Sequence, residues 1–261
     1  MDIDRLLNEH PWVDKIQHYD AVVSTNALLQ QQAIAGASEG TVIFADSQSG
    51  GMGRLGRSFH SPAGAGIYMS VLLRPNCRPE DLMHLTCAVA VAVYKAIEEV
   101  TGIRVQIKWV NDLICKDKKL AGILTKLSVN QKTGLVDWAI VGIGINCAPA
   151  AFPPELEGIV TSLRDIAGKD IDRQALSAAL VRQLEQMNTG LHTDRRSMME
   201  IYRKNCAVIG EKVWLIRGDE RRSALVLDVD DWGGLVVSHE DGSVHTVNSG
   251  EISLRKQNPD A

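Results

Sequence analysis

The chain has 261 residues, of which 45% are hydrophobic and 23% charged, and its formal net charge is −4 at pH 7. This balance is typical of a soluble globular protein, and the length is enough for one large unit and one small one. The acidic balance disfavours a nucleic-acid binder, and no run of residues approaches the roughly 20 apolar positions that span a membrane. We therefore expect neither DNA nor a membrane among the partners.

The cysteines and the amino terminus indicate a cytoplasmic protein. The five cysteines are odd in number and form no CxxC pair, so the sequence predicts neither a disulfide framework nor a zinc site. Residues 1–5 lack the charged-then-apolar layout of a secretory signal. A reducing compartment is the simplest interpretation.

In chain order, the first predicted element is a helix that Ser24 caps and Gly36 stops. Residues 41–45 predict a buried strand, and residues 46–64 predict a loop rich in Gly, Ser and Arg. A loop of this length inside a compact domain is usually functional or disordered. The next elements are a strand and a helix, over residues 66–74 and 79–100.

The second half predicts further strands, then two helices, then a change of pattern. The strands cover residues 104–109, 113–116, 119–128 and 135–145, and the helices cover 172–187 and 195–202. From residue 210 short strands alternate with tight turns, at 213–216, 224–229, 235–238 and 244–247. This pattern is typical of a small β-barrel, so we expect a large domain over 1–207 and a small one over 208–261.

The glycine-rich part of the predicted loop contains a formal GxGxxG at Gly51, Gly53 and Gly56. A dinucleotide fingerprint needs a helix at its last glycine, but residues 57–62 are a poor helix start. The glycines instead leave backbone that a ligand can approach closely, and the arginines of the loop can bind phosphate or carboxylate. A mobile surface loop is an equally good interpretation of the composition alone.

The sequence KWVND at 108–112 precedes Lys119 by one predicted turn. Lys108, Asp112 and Lys119 then lie on adjacent strands, where a carboxylate between cations can hold a metal ion and the lysines can meet anions. An ordinary strand-end turn is the competing interpretation.

Alternating glycines interrupt the apolar strand that ends at Asn146. Gly142 and Gly144 indicate that a ligand or another backbone comes close to this strand. Tight packing of a helix on the strand explains them about as well.

Taken together, these segments resemble those of biotin protein ligases. The matches occur in order along nearly the whole chain: STN at 24–26, QSGGMGRLGR at 48–57, GIYMS at 66–70, KWVND at 108–112, KLAGIL at 119–124, GIGIN at 142–146 and GEISLR at 250–255. The resemblance implies an α/β mixed-sheet catalytic domain followed by a small SH3-like β-barrel. It also implies that biotin and ATP form biotinyl-5′-AMP, and that biotin then passes to a lysine of a biotin carboxyl carrier domain, as in acetyl-CoA carboxylase.

The resemblance assigns roles residue by residue. Lys119 and Arg54 are the implied catalytic residues, and Asp112 is implied to meet Mg²⁺, which would not be tightly bound. The implied biotin-binding residues are Ser24, Thr25, Asn26, Gln48, Gly51, Met52, Gly53, Arg54, Lys119, Gly122, Gly142 and Ile143. The implied ATP-binding residues are Arg54, Arg57, Phe59, Lys108, Asn111 and Asn146. The resemblance also allows a homodimer.

The chain departs from the family pattern at three positions. Met52 stands where the family loop has its first arginine, Phe59 where it has tryptophan, and Val110 where it has proline. Met52 removes one cation from the loop but leaves its backbone N–H, and Phe59 keeps an aromatic face.

Three rival functions differ from a biotin ligase in testable ways. A lipoate or octanoate ligase would resemble the same core, although the 48–57 and 250–255 segments favour biotin. A biotin-sensing DNA-binding repressor would carry a further domain, and only 23 residues precede Ser24. A non-catalytic biotin-binding scaffold would not need Lys119, Arg54 and Asp112.

Overall fold

The computed structural model describes residues 7–150, 152–248 and 253–256, and in these ranges the chain forms two separate β-sheets and five α-helices. The first seven strands are β1 (Ile16–Val22), β2 (Val42–Gln48), β3 (Gly66–Leu73), β4 (Gln106–Lys108), β5 (Asp112–Cys115), β6 (Lys118–Val129) and β7 (Val136–Asn146). The helices are α1 (Thr25–Ile34), α2 (Leu85–Thr101), α3 (Leu163–Ala167), α4 (Arg173–Thr189) and α5 (Arg195–Lys204). The last five strands are β8 (Lys212–Arg217), β9 (Glu220–Val229), β10 (Leu235–Ser238), β11 (Val244–Val247) and β12 (Ser253–Lys256).

The larger sheet has the strand order β1-β2-β3-β7-β6-β5-β4. β1 runs parallel to β2, and the other neighbouring pairs are antiparallel. Every residue of β3 is buried, because this strand lies near the middle of the sheet and is covered on both faces. β1 at the edge is largely exposed.

Helices cover both faces of the larger sheet. On one face, α1 packs on β2, β3 and β7 through a small cluster that includes Leu29, Ile43, Leu72 and Trp138. On the other face, α2 packs against α4 and α5 over the main apolar core. The side chains of α2 are buried nearly all round, which is the pattern of a helix enclosed by its neighbours.

The smaller sheet has the strand order β11-β10-β9-β8-β12, and all its pairs are antiparallel. Along β9, buried Ala224, Val226 and Val229 alternate with exposed positions, as expected of a strand with one covered face. This sheet is called the C-terminal unit below.

The structure departs from the sequence predictions in several places. β1 was not predicted, because its sequence IQHYDAV has no clean apolar alternation at an exposed edge. α3 was also missed, although Ser162 and Asp165 form a capping box at its start. The helix predicted over 79–100 begins as a 3₁₀ turn, Pro79–Leu82, before α2, and the predicted 46–64 loop is shorter because β2 runs to Gln48.

Part of the 250–255 match lies outside the described residues, namely Gly250, Glu251 and Ile252. In the described ranges, no helix has both the length and the apolar character needed to cross a bilayer.

Candidate functional site

Two adjoining cavities lie above β6 and β7, under the loop of residues 49–60. The first cavity is lined by most of the residues predicted for biotin, namely Ser24, Thr25, Asn26, Gln48, Met52, Gly53, Lys119, Gly122, Gly142 and Ile143. The second cavity is lined by all the residues predicted for ATP, namely Arg54, Arg57, Phe59, Lys108, Asn111 and Asn146, and also by Asp112. The shared wall is formed by Gly53, Phe59, Asn111 and Lys119.

A chain of hydrogen bonds fixes the polar side of the first cavity. The hydroxyl of Ser70, on β3, lies 2.7 Å from Thr25 Oγ1 and 2.6 Å from Asn26 Oδ1. Gln48 Oε1 accepts from the backbone N–H of Thr25 at 2.9 Å, and its Nε2 donates to Ser61 Oγ at 3.0 Å. Since Thr25, Asn26 and Ser70 are all buried, these bonds hold the polar groups in fixed orientations.

The glycines of β7 make room for side chains, one of which comes from the helix α1 that packs on this strand. A Cβ at Gly142 would collide with the Asn26 amide, and one at Gly144 would collide with the Phe59 ring. A Cβ at Gly122, on the neighbouring β6, would lie 3.2 Å from Lys119 Nζ. The close approach that the sequence indicated is therefore made by side chains that line the site.

The 49–60 loop is a narrow hairpin. Phe59 N–H donates to Gly51 O at 2.8 Å, and Gly53 N–H donates to Arg57 O at 2.7 Å. A Cβ at Gly51 would lie 2.5 Å from Phe59 O, so this position needs glycine for close backbone approach. Gly51 thus closes the base of the hairpin and does not line the first cavity, and Arg54 points into the second cavity rather than the first.

Charged groups meet at the shared wall. Lys119 Nζ lies 2.7 Å from Asp112 Oδ1, and Arg54 donates to Asn111 Oδ1 at 3.2 Å. Burial lowers the pKa of Arg54, Asp112 opposes this effect, and Arg57 adds to it. Arg54 keeps its charge, since an arginine that is partly buried beside a carboxylate stays protonated near neutral pH.

The far side of the second cavity is built by residues 152–161. Lys119 N–H donates to Ile159 O at 2.8 Å, so this segment is held along the start of β6. Asn146 Nδ2 donates to Thr161 O at 3.1 Å. The ring centroids of Phe152 and His60 lie 5.9 Å apart, which brings this segment into contact with the 49–60 loop.

Several residues of the site were not predicted. Ser70, Ser61, Met69 and Thr161 hold or line the cavities. Ser70 lay within the matched 66–70 segment, which could have indicated it, whereas nothing near Thr161 in the sequence indicates its contact with Asn146.

In the described ranges, no group of three or more His, Cys, Asp or Glu side chains is arranged so that it could hold a metal ion. Asp112 contributes a single carboxylate to the second cavity.

Comparison with known proteins identifies the family. The sequence profile of the Biotin/lipoate A/B protein ligase family matches residues 19–146, and that of the Biotin protein ligase C terminal domain matches residues 208–255. The bifunctional ligase/repressor BirA of Bacillus subtilis is 34% identical over 240 residues, which cover 91% of this chain and 73% of BirA. The chain belongs to the biotin protein ligase family.

Further family members agree with this assignment. The biotin–[acetyl-CoA-carboxylase] ligase of Mycobacterium tuberculosis is 29% identical, with 88% of this chain and 85% of that protein covered. The structure of the biotin protein ligase from Aquifex aeolicus in complex with biotin and ATP superposes with a TM-score of 0.78 and 31% identity, over 93% of this chain and 99% of that one. The predicted fold class, a mixed α/β catalytic sheet followed by a small β-domain of the biotin-ligase type, is confirmed.

Proposed function

We propose that this chain is an ATP-dependent biotin protein ligase that forms biotinyl-5′-AMP and then transfers biotin to a lysine of a biotin carboxyl carrier domain. The observation that carries the proposal is the pair of adjoining cavities with Lys119 in their common wall. One cavity is lined by fixed dipoles and the other by cations, and a reaction that joins a carboxylate to a phosphate needs both. The names of the family members, which include biotin and ATP as ligands, agree with it.

In the first step a biotin carboxylate oxygen attacks the α-phosphorus of ATP, a P–O bond forms, and pyrophosphate leaves. Both reactants are anions, so their repulsion is a large part of the barrier. Lys119 lies in the wall between the two cavities, and Arg54, which lines the second, donates to Asn111 of that wall. Both would neutralise negative charge that builds in the transition state. Holding both reactants in contact supplies much of the remainder.

The first cavity suits the biotin head group. Its ureido group has both donors and acceptors, and the fixed groups of Thr25, Asn26 and Gln48 offer complementary ones. Gly122 and Gly142 leave room for the side chains of Lys119 and Asn26, and Ile143 lines the cavity beside them. We propose that Ser24, Met52 and Gly53, which also line the first cavity, contact biotin as well.

The second cavity suits the nucleotide. Lys108 and Arg57 would pair with phosphate oxygens, and Asn146, with Phe59, would line the base and the ribose. The ring of Phe59 packs over Gly144, so it would also separate the two ligands at the shared wall.

The family implies Mg²⁺ with the nucleotide, and the residues present fit it. Mg²⁺ is usually bound by one or two carboxylates together with substrate phosphates, and the carboxylate of Asp112 in the second cavity, which accepts from Asn111 Nδ2 at 3.2 Å, provides that kind of donor. When bound, the ion neutralises phosphate charge. Asp112 is ion-paired with Lys119, so the same carboxylate would also orient the lysine.

In the second step the neutral amine of the acceptor lysine attacks the acyl carbon, a C–N bond forms, the C–O bond to the phosphate breaks, and AMP and one amine proton leave. The mixed anhydride must be kept from water in the interval. The 49–60 hairpin, in contact with the 152–161 segment through His60 and Phe152, would exclude solvent.

We further propose a two-domain chain, a homodimer and a cytoplasmic location without DNA binding. Division into domains 1–207 and 208–261 is supported by the two separately bonded sheets. A homodimer is supported by the exposed edge strand β1, since edge strands can pair with another chain. A cytoplasmic location and the absence of DNA binding rest on composition.

The decisive experiment is intact-mass spectrometry of a biotin carboxyl carrier domain incubated with this protein, biotin, ATP and Mg²⁺. We expect a shift of one biotinyl group that depends on ATP. Replacement of biotin by lipoate tests the nearest rival, and a shift with lipoate alone would replace the proposed substrate. No shift with either acid, from protein that binds both biotin and ATP, would contradict the proposed transfer.

A further inference from the structure

The C-terminal unit contacts the larger domain through the turn of residues 230–234. Asp230 Oδ1 accepts from the backbone N–H groups of Trp232 and Gly234, at 2.9 and 2.8 Å, so the turn is internally fixed. Arg203, at the end of α5, donates to Asp231 Oδ1 and to Val229 O, both at 2.9 Å. The guanidinium carbon of Arg195 lies 3.6 Å from the centre of the Trp232 ring. The turn is therefore anchored by charge, stacking and backbone contacts on α5.

The deepest contact of the 230–234 turn is made by Gly233. Its carbonyl accepts a hydrogen bond of 2.9 Å from Trp109 Nε1, and both groups are buried. Gly233 has φ +82°, and a Cβ there would lie 2.9 Å from the Cys87 sulfur. Only glycine fits this combination of backbone conformation and close approach, which is what lets the carbonyl reach the indole.

Trp109 is at the same time part of the second cavity. It lies between Lys108 and Asn111 in the chain, and all three line that cavity. Its side chain is 4% exposed. The next residue is also held, because Tyr202 Oη donates to Val110 O at 3.4 Å. The 108–112 segment is therefore fixed from behind by the indole and by a tyrosine of α5, while its front faces the second cavity.

We propose that Trp109 is a positioning residue for ATP, and that the C-terminal unit sets its position through the Gly233 carbonyl. This inference rests on the proposed function. If the unit moves away, the indole N–H loses a buried acceptor and must reorient to find another, and the adjoining Lys108, which lines only the second of the two cavities, shifts with it. Trp109 does not line the first cavity, so the affinity for biotin should not change when the indole reorients.

The test uses the full chain and the variant Trp109→Phe, which removes the N–H and keeps an aromatic ring. Trp138→Phe is the matched control, because Trp138 is also buried, at 6% exposure, but packs under α1 on the other face of the sheet. Arg203→Ala weakens the 230–234 turn without touching either cavity. The measurements are binding of a non-hydrolysable ATP analogue with Mg²⁺, binding of biotin, and kcat and KM for ATP in pyrophosphate release.

We expect Trp109→Phe to raise the Kd of the analogue and the KM for ATP by about threefold to tenfold, the range for one lost buried hydrogen bond. The Kd of biotin and kcat at saturating ATP should stay within about twofold, and Trp138→Phe should leave both affinities unchanged. Arg203→Ala should shift the affinity for ATP in the same direction. The double variant of Trp109 and Arg203 should raise the Kd by less than the product of the two single-variant factors, because both changes act through the contact between Trp109 and Gly233.

Unchanged ATP-analogue affinity in folded Trp109→Phe protein would overturn the inference, as would a parallel loss of biotin affinity. If the unaltered protein binds the ATP analogue but releases no pyrophosphate, this result would instead contradict the proposed function. The binding measurements therefore test the inference by themselves.

Discussion

The two cavities share a wall but are built differently. The first lies on strands of the sheet and the start of α1, and its polar groups, Thr25, Asn26 and Ser70, are buried and bonded to one another. The second is lined by loops and by charged side chains, among them Arg54 and Arg57 on the hairpin. We infer that the first selects its ligand by fixed dipoles, whereas the second concentrates charge.

The largest expected effect comes from the group that both cavities share. Lys119→Ala should lower adenylate formation by about 100-fold to 1,000-fold, since it removes a preorganised cation from the reacting centre. Pyrophosphate release is the measurement, and the thermal midpoint should change little because the side chain is about a third exposed. Lys118→Ala, one residue earlier on β6 and exposed, is the control that should retain activity. Normal pyrophosphate release by folded Lys119→Ala would contradict the role given to this lysine.

The first cavity is tested by two buried serines. Ser70→Ala removes the hydroxyl between Thr25 and Asn26 and should raise the Kd of biotin about fivefold to tenfold, with a loss of about 1–2 kcal/mol in the free energy of unfolding. Calorimetric titration and urea unfolding measure these changes.

The control for Ser70 is Ser177→Ala on α4. Ser177 is equally buried, but its hydroxyl has no hydrogen-bond partner within the described part of the chain. Its removal should leave both biotin binding and stability unchanged or slightly improved. Equal biotin affinities for the two variants would mean that fixed dipoles do not determine selection in the first cavity.

The charge of the second cavity is tested by Met52→Arg, which restores the arginine of the family pattern to the hairpin. Met52 itself lines the first cavity, next to Gly53 of the shared wall, and is 50% exposed. An arginine there would adjoin the second cavity, so it should lower the KM for ATP by about twofold to fivefold at low salt. The gain should disappear at about 1 M salt, because screening is nearly complete there. Leu127→Arg, at a position that is 42% exposed on the far part of β6, should give no gain. A gain that persists at high salt would indicate loop ordering instead of charge.

The smallest effect concerns pH and lies outside both cavities. His84 is buried, and burial lowers its pKa, while its hydrogen bond to the Leu191 carbonyl partly opposes this. The unfolded chain therefore binds a proton more readily, and stability is lost as pH falls through the unfolded value of about 6.5 towards the lower folded one. Urea unfolding from pH 8 to 5 should show this loss, and His84→Gln should reduce it. An unaltered slope in the variant would assign the loss to other groups, such as His10, whose pKa burial also lowers.

Much of the site could be predicted from the sequence because its residues occur in short contiguous motifs. The segments at 48–57, 108–112 and 142–146 each carry several lining residues, and the matching family pattern orders them. The predicted division of lining residues between biotin and ATP follows the two cavities closely, with Gly51 and Arg54 as the exceptions in the first. Helices with clear periodicity, such as α2 and α4, were also recognisable.

Tertiary structure alone decided the contacts between distant segments. Asn26 fits against Gly142 because α1 packs over β7, and Gly233 meets Trp109 because the C-terminal unit packs on α2 and α5. Local propensity carries no information about such pairs, which are separated by more than 100 residues in the sequence and are brought together only when the apolar faces of the sheet and helices are buried. The sequence by itself thus determined which residues carry suitable chemical groups, and packing decided which of them share a cavity and what holds them there.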